Sequence, residues 1–147
     1  MVKGLMDKTG ITTREFLISD YDRALALWNE VEGVEICEGD SREEIRGYLE
    51  RNPGLSRVAE GDGVLAGAVL CGHDGRRGFI YHLAVAPGFR GRGVGRLLLD
   101  DCVRGLGAAR MQRAIILVAG DNSLGREFWL RQGWEDIEGA LPMARDL

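Results

Sequence analysis

Apolar positions along the chain recur with a period of two in some stretches and near 3.6 in others, and their order predicts the elements. Thr13 to Ile18 alternates and predicts a first strand. Asp20 stands where it can cap a helix, Tyr21 to Glu30, with Ala24, Leu27 and Trp28 inward. Glu32 to Asp40 has no period and reads as a loop. Ser41-x-x-Glu44 is a capping box that opens a helix to about Arg51, and Asn52-Pro53-Gly54 stops it. Arg57 to Glu60 and Val64 to Cys71 read as a hairpin across Gly61-Asp62-Gly63, and His73-Asp74-Gly75-Arg76 as the next hairpin turn. Phe79 to Val85 is a central strand. Arg96 to Leu106 is a long helix with Leu98, Cys102 and Leu106 on one stripe. Ala114 to Val118 predicts a strand, Ser123 to Gln132 a helix, and Trp134 to Glu138 with Leu141 to Ala144 a closing pair of strands. This pattern alone implies an α/β or α+β chain without repeats or linkers.

Between the central strand and the long helix lie Pro87-Gly88-Phe89-Arg90-Gly91-Arg92-Gly93-Val94-Gly95-Arg96. Glycines at alternate positions leave backbone N–H groups uncovered, so a bulky anion can approach them. The helix start adds a partial positive charge, and Arg90, Arg92 and Arg96 add full ones. A Walker loop is excluded because no Lys-Ser/Thr pair follows the glycines. A dinucleotide fingerprint is excluded because its last glycine would fall on Arg96 or Leu98. A disordered arginine–glycine tract would be repeated, whereas this one is single and runs into an apolar helix. A glycine-rich turn capping a helix would need one glycine rather than three, with no arginines.

The spacing that does fit is Arg-x-x-Gly-x-Gly, at Arg90, Gly93 and Gly95, led in by Leu83-Ala84-Val85-Ala86-Pro87. It resembles the coenzyme A loop of the GNAT superfamily of N-acetyltransferases. Asn122, the aromatic pair Phe128-Trp129 and Gly133-Trp134 resemble that family's C-terminal half, and Gly72 to Gly78 resembles a bacterial YpeA-like subgroup. The resemblance implies a single GNAT-like domain over residues 1–147, with a central mixed, mostly antiparallel sheet and helices on both faces. It implies acetyl-CoA as cosubstrate and direct attack of a primary amine on the thioester in a ternary complex. The pantetheine arm would pair with backbone of Leu83 and Val85, beside Ala84, and the pyrophosphate would lie on the N–H groups of Gly91, Arg92, Gly93, Val94, Gly95 and Arg96. Asn122 and Trp129 would contact the cofactor, although Asn122 reads equally well as a turn or cap residue. Many family members are homodimers.

Composition narrows the setting. The 147 residues, 45% hydrophobic and 29% charged, suit one soluble globular domain. Met1 to Gly10 lacks the apolar core of a secretion signal and no stretch approaches a membrane span, so a cytoplasmic location with no membrane partner is expected. Cys37, Cys71 and Cys102 are three and far apart, and there are two His, so neither a disulfide framework nor a metal site is expected. A net charge of −4 argues against a nucleic-acid partner. Arg76, Arg77, Arg90, Arg92, Arg96, Arg104, Arg110 and Arg113 surround the proposed polyphosphate site. Glu30, Glu32, Glu35, Glu38, Asp40, Glu43, Glu44 and Glu50 crowd residues 29–50, a solvated face that would also favour a cationic acceptor, whether a small molecule or a protein amine.

The family's usual acid and base do not carry over. The position where many members have a proton-donating Tyr is Trp129, and an indole cannot donate as a phenol does. The position where some have a basic Glu is Leu117. Strand alternation places Tyr81, Leu83 and Val85 on one face, and His82 and Ala84 on the other. Tyr81 is then the best-placed titratable group, either as a packed aromatic or as the acid that protonates the thiolate. His82 is directed into the opposite layer and reads first as a core histidine, second as a base. Glu32, Glu35 and Asp121 are further candidates for the base. In the Gly72 to Gly78 turn, Asp74 and Gly75 read as structural, while Arg76 or Arg77 could hold a carboxylate or phosphate. The missing assistants leave an alternative, a non-catalytic acyl-CoA-binding module.

Overall fold

The computed structural model describes residues 10–147. The N-terminal stretch read as lacking a secretion signal lies outside the described residues except for Gly10. The chain divides into two compact units, Met1–Leu117 and Val118–Leu147.

The first unit holds a five-stranded sheet in the order β1-β2-β3-β4-β5. The strands are β1 (Thr12–Glu15), β2 (Arg57–Gly61), β3 (Val64–His73), β4 (Gly78–Val85) and β5 (Ala114–Ile115). β1 to β4 are antiparallel, and β5 pairs parallel to β4. Three helices pack on this sheet: α1 (Tyr21–Glu30), α2 (Arg42–Arg51) and α3 (Val94–Ala108). The parity of β3 separates two faces. Ala68 and Leu70 join the core of α1 and α2, with Trp28, Leu27 and Ile45. Gly67 is covered by Val94 and Leu98 of α3. Helices therefore lie on both faces of a mixed, mostly antiparallel sheet. The α3 stripe of Leu98, Cys102 and Leu106 is buried, and the three cysteines are free.

Local chemistry explains most element bounds. Ser41 Oγ accepts from the Glu44 N–H, and Glu44 accepts in return from Ser41 N–H, so the capping box sets the start of α2. Asp20 behaves otherwise than expected. It does not cap α1. Its buried carboxylate accepts from Leu17 N–H and pairs with Arg14 and Arg23 at 2.8 and 2.7 Å. A short 3₁₀ turn, Ile18–Asp20, therefore ends the first strand early, at Glu15 rather than Ile18.

The second unit holds one helix, α4 (Ser123–Arg131). The expected closing strands over 134–138 and 141–144 do not form, and residues 138–147 are all exposed. Glu135, Asp136 and Glu138 have weak strand propensity, and Pro142 lacks an N–H for a ladder. The strand expected from Ala114 to Val118 is only the two residues of β5. Among the described residues, no helix is long and apolar enough to cross a membrane.

Candidate functional site

β4 ends at Val85, and the Ala86 N–H donates to Ala66 O at 2.8 Å, holding the exit of the strand against β3. A 3₁₀ turn, Pro87–Phe89, buries Phe89, and the Arg92 guanidinium lies 4.9 Å from the centre of that ring. Gly91 and Gly93 follow with φ of 74° and 77°. An L side chain is strained there, although neither position would meet a neighbour. Gly93 is the residue before α3, and no side chain caps that helix. The N–H groups of Val94, Gly95 and Arg96 thus form an uncapped first turn with the helix dipole behind it. The helix begins at Val94, two residues before the sequence pattern placed it, because Gly95 sits in the first turn where no intrahelical bond to its N–H is needed. Arg90 is exposed. Arg96 lies 3.9 Å from Asp100, both in solvent, a weak pair that leaves the guanidinium free to exchange partners.

β5 pairs with Gly78 and Phe79 alone. Among the described strands, the same edge of β4 from Ile80 to Val85 is unpaired.

The opposite edge of β4 carries a bulge. Leu70 pairs with Tyr81 and Ala68 with Ala84, so one residue of β3 opposes His82 and Leu83 together. His82 adopts φ 53°, a left-handed conformation uncommon outside glycine. Cross-strand partners share a face. Tyr81 therefore lies with Leu70 and Ala84 on the α1/α2 face, whereas Val85 pairs with Gly67 on the α3 face. This corrects the expectation that Tyr81, Leu83 and Val85 share one face: the inserted residue breaks the alternation.

His82 is held from several directions. Its carbonyl accepts from Trp28 Nε1 at 2.8 Å, and its ring lies 5.1 Å from that of Trp28. Its Nε2 is 2.8 Å from Asp40 Oδ2. Asp40 is itself buried. Its Oδ2 also accepts from Cys37 N–H at 3.1 Å, and its carbonyl accepts from Tyr21 Oη at 2.6 Å.

Beside Tyr81, α2 and the β3–β4 hairpin enclose a pocket of about 290 Å³, lined by Tyr48, Arg51, Asn52, Gly72, His73, Asp74, Phe79 and Tyr81. Phe79 and Tyr81 stack nearly parallel, 6.2 Å between ring centres. Burial pushes both the Tyr48 and Tyr81 phenols above their ordinary value, so both stay protonated near neutral pH. Among the described residues, Tyr48 Oη is buried without a hydrogen-bond partner. A side chain at Gly72 would collide with it, so that glycine keeps the wall of the pocket thin. Asp74 Oδ1 accepts from the N–H groups of Arg76 and Arg77, both at 2.8 Å, which makes it a turn residue, as its sequence context suggested.

The acidic stretch divides by role. Asp40 holds His82, Glu44 caps α2 and Glu43 pairs with Arg46 at 3.5 Å. Glu30, Glu32, Glu35, Glu38 and Glu50 are exposed. In the second unit, Asn122 caps α4, its Oδ1 accepting from Gly125 N–H at 3.0 Å. Trp129 packs edge-on against Phe128 and Trp134, at 5.5 and 5.0 Å. Asp121 is exposed, as is Leu117 of the first unit. Asp40 and its bond to His82 escaped the sequence reading. Its one available signal was an acidic residue directly before a capping box.

The mixed sheet thus has an open β4 edge that runs into a glycine turn and an uncapped helix start. Residues 19–134 match the model of the acetyltransferase (GNAT) family, and the chain belongs to that family. An acetyltransferase of Sodalis glossinidius is 32% identical over 134 residues, covering 91% of this chain and 94% of that protein. One from Yersinia enterocolitica is 35% identical over 109 residues, covering 74% and 77%. Among solved structures, Ard1 from Thermoplasma volcanium superposes with a TM-score of 0.75 at 22% identity, covering 84% of this chain and 82% of that one. An acetyltransferase from Clostridium acetobutylicum, solved with acetyl-CoA, gives 0.73 at 17% identity, covering 91% and 96%. These two likenesses concern the fold.

Proposed function

We propose that this acetyltransferase moves the acetyl group of acetyl-CoA to a primary amine by direct attack in a ternary complex. The observation that carries the reading is the continuity of the open β4 edge with the Gly91–Arg96 turn. The pantetheine amides would pair along Leu83 to Val85 as an added strand does. The pyrophosphate would lie on the N–H groups at the start of α3, with Arg90, Arg92 and Arg96 supplying charge. The roles given to Asn122 and Trp129 rest on the resemblance. The family match spans both units, which supports one catalytic domain, and the expected setting is the cytoplasm.

The reaction needs a neutral amine, a polarised carbonyl and a proton for the departing thiolate. Backbone N–H groups near the bulge and Val85 would polarise the thioester carbonyl. Tyr81, partly exposed and kept protonated by burial of the rest of its ring, would give the thiolate its proton. The pocket beside Tyr81 would take the body of the acceptor, a small molecule or a protein amine. The exposed glutamates before α2 favour a cationic one.

Calorimetric titration with acetyl-CoA, with dephospho-CoA and ATP as comparisons, tests the cofactor assignment. A clear preference for acetyl-CoA is expected. Folded protein that binds none of the three would remove the reading.

A further inference from the structure

We propose that His82, oriented by Asp40, is the base that takes the proton from the acceptor amine. The proposal rests on the acetyltransferase reading and adds the base which that reading lacks.

An ionised carboxylate only accepts, so the contact of 2.8 Å between Nε2 and Asp40 Oδ2 puts the proton of the neutral ring on Nε2. The lone pair is then on Nδ1, which has no partner among the described residues. The support extends beyond the pair. Asp40 is fixed by Cys37 N–H on its carboxylate and by Tyr21 Oη on its carbonyl. Ser41, the next residue, opens the capped start of α2. Trp28 fixes both the carbonyl and the ring of His82. A histidine kept only for packing needs none of its backbone strain, yet His82 holds φ 53° at the bulge. Strained backbone persists where surrounding contacts over-determine it, and such positions cluster at functional sites. His82 is the chain neighbour of Tyr81 and Leu83, the residues assigned to proton donation and to the pantetheine arm.

The step balances. The amine nitrogen attacks the thioester carbon, and the N–C bond forms as one N–H proton passes to His82 Nδ1. Asp40 stabilises the imidazolium. The tetrahedral intermediate collapses, the C–S bond breaks, and the thiolate takes a proton from Tyr81 or from water. His82 then returns its proton to solvent, and Tyr81, where it was the donor, takes one back from solvent. The products are the acetylamine and free CoA thiol, with no oxidant or further reactant. The groups that bear on the titration of His82 are Asp40 and Cys37 from the loop before α2, Glu35 and Glu38 near that thiol, and Tyr81 on β4. From α1, Trp28 presents an uncharged face.

The test uses the full chain and follows thiol release with spermidine, kanamycin and a lysine-containing peptide across pH. His82→Gly suits the left-handed backbone and opens room for a soluble base. It is expected to lose at least about a hundredfold in kcat while keeping its affinity for acetyl-CoA. Added imidazole should restore part of the rate, and the rise of kcat/KM with pH should disappear. Asp40→Asn, folded, should lose about tenfold or more in kcat and displace the same limb. Wild-type turnover in His82→Gly, or a slow variant that keeps the pH limb and ignores imidazole, would overturn the base assignment and leave the transferase reading intact. If His82→Gly does not fold, an unchanged pH profile in Asp40→Asn overturns it. A wild-type chain that binds acetyl-CoA but releases no thiol with any of the three amines would overturn both.

Discussion

The Pro87–Arg96 turn and the His82 bulge leave the same strand and are built by opposite means. The backbone of the turn is set by neighbours in sequence: Gly91 and Gly93 take left-handed conformations, and Val94 starts the helix. The bulge depends on partners far along the chain. Asp40 lies 42 residues away and Trp28 lies 54. The turn offers backbone N–H groups, which any sequence with the right glycines can present. The bulge presents a side chain whose position is set by tertiary contacts. In the proposed reading, binding is written locally, while proton transfer requires the assembled α1/α2 face.

That difference orders the expected effects of substitution. Gly93→Val forces a β-branched residue into φ 77° and should weaken acetyl-CoA binding by about a hundredfold. No neighbour obstructs the new side chain, but the left-handed backbone strains it, so the melting temperature should fall by several degrees while the chain stays folded. Calorimetry beside a thermal melt checks both, and unchanged affinity would remove the pyrophosphate from this turn.

Asp20→Asn is a control outside both regions and should cost about 2–3 kcal/mol of stability near neutral pH, read by denaturant titration. Burial pushes the Asp20 carboxyl up, but Arg14, Leu17 N–H and Arg23 outweigh it and hold it at about 2, below its ordinary 3.8. A depressed carboxyl stabilises the fold above its unfolded value. The wild type should lose that contribution as pH falls from about 4 to 2, and the variant should lack this part of the slope. Identical acid titrations would show that the Arg14–Asp20–Arg23 network carries no stability.

Tyr81→Phe keeps the stack on Phe79 and removes the phenol. Turnover should fall by about tenfold with acetyl-CoA affinity unchanged. Equal rates at every pH would take Tyr81 out of the mechanism. Trp28→Phe removes the donor to the bulged carbonyl. It should cost about 1 kcal/mol and lower turnover a few-fold without altering cofactor binding. A loss of cofactor affinity in that variant would blur the separation between turn and bulge.

The sequence made the turn legible for the reason that makes it robust: its spacing is a local requirement of backbone geometry. The same holds for α1, whose bounds match the 3.6 period, and for α2, whose Ser41–Glu44 box is visible in four residues. Strand alternation failed at β4 because a bulge is one unpaired residue, and nothing in Tyr81-His82-Leu83-Ala84 announces it. It moved Tyr81 to the face of Leu70 and brought His82 to Trp28 and Asp40. The closing strands expected over 134–138 and 141–144 do not form, since the stretch holds poor strand formers and a proline. Asp20 was misread as a cap because its carboxylate turns instead to Arg14 six residues before it, Leu17 N–H and Arg23 three residues after it.

The most direct test of the account is amine-dependent release of CoA thiol by the wild-type chain, with the acetylated amine quantified in the same sample. The account predicts thiol and acetylamine in equal amounts, and little thiol without amine. Tight acetyl-CoA binding with no release in the presence of amine would contradict it and leave an acyl-CoA-binding module in its place.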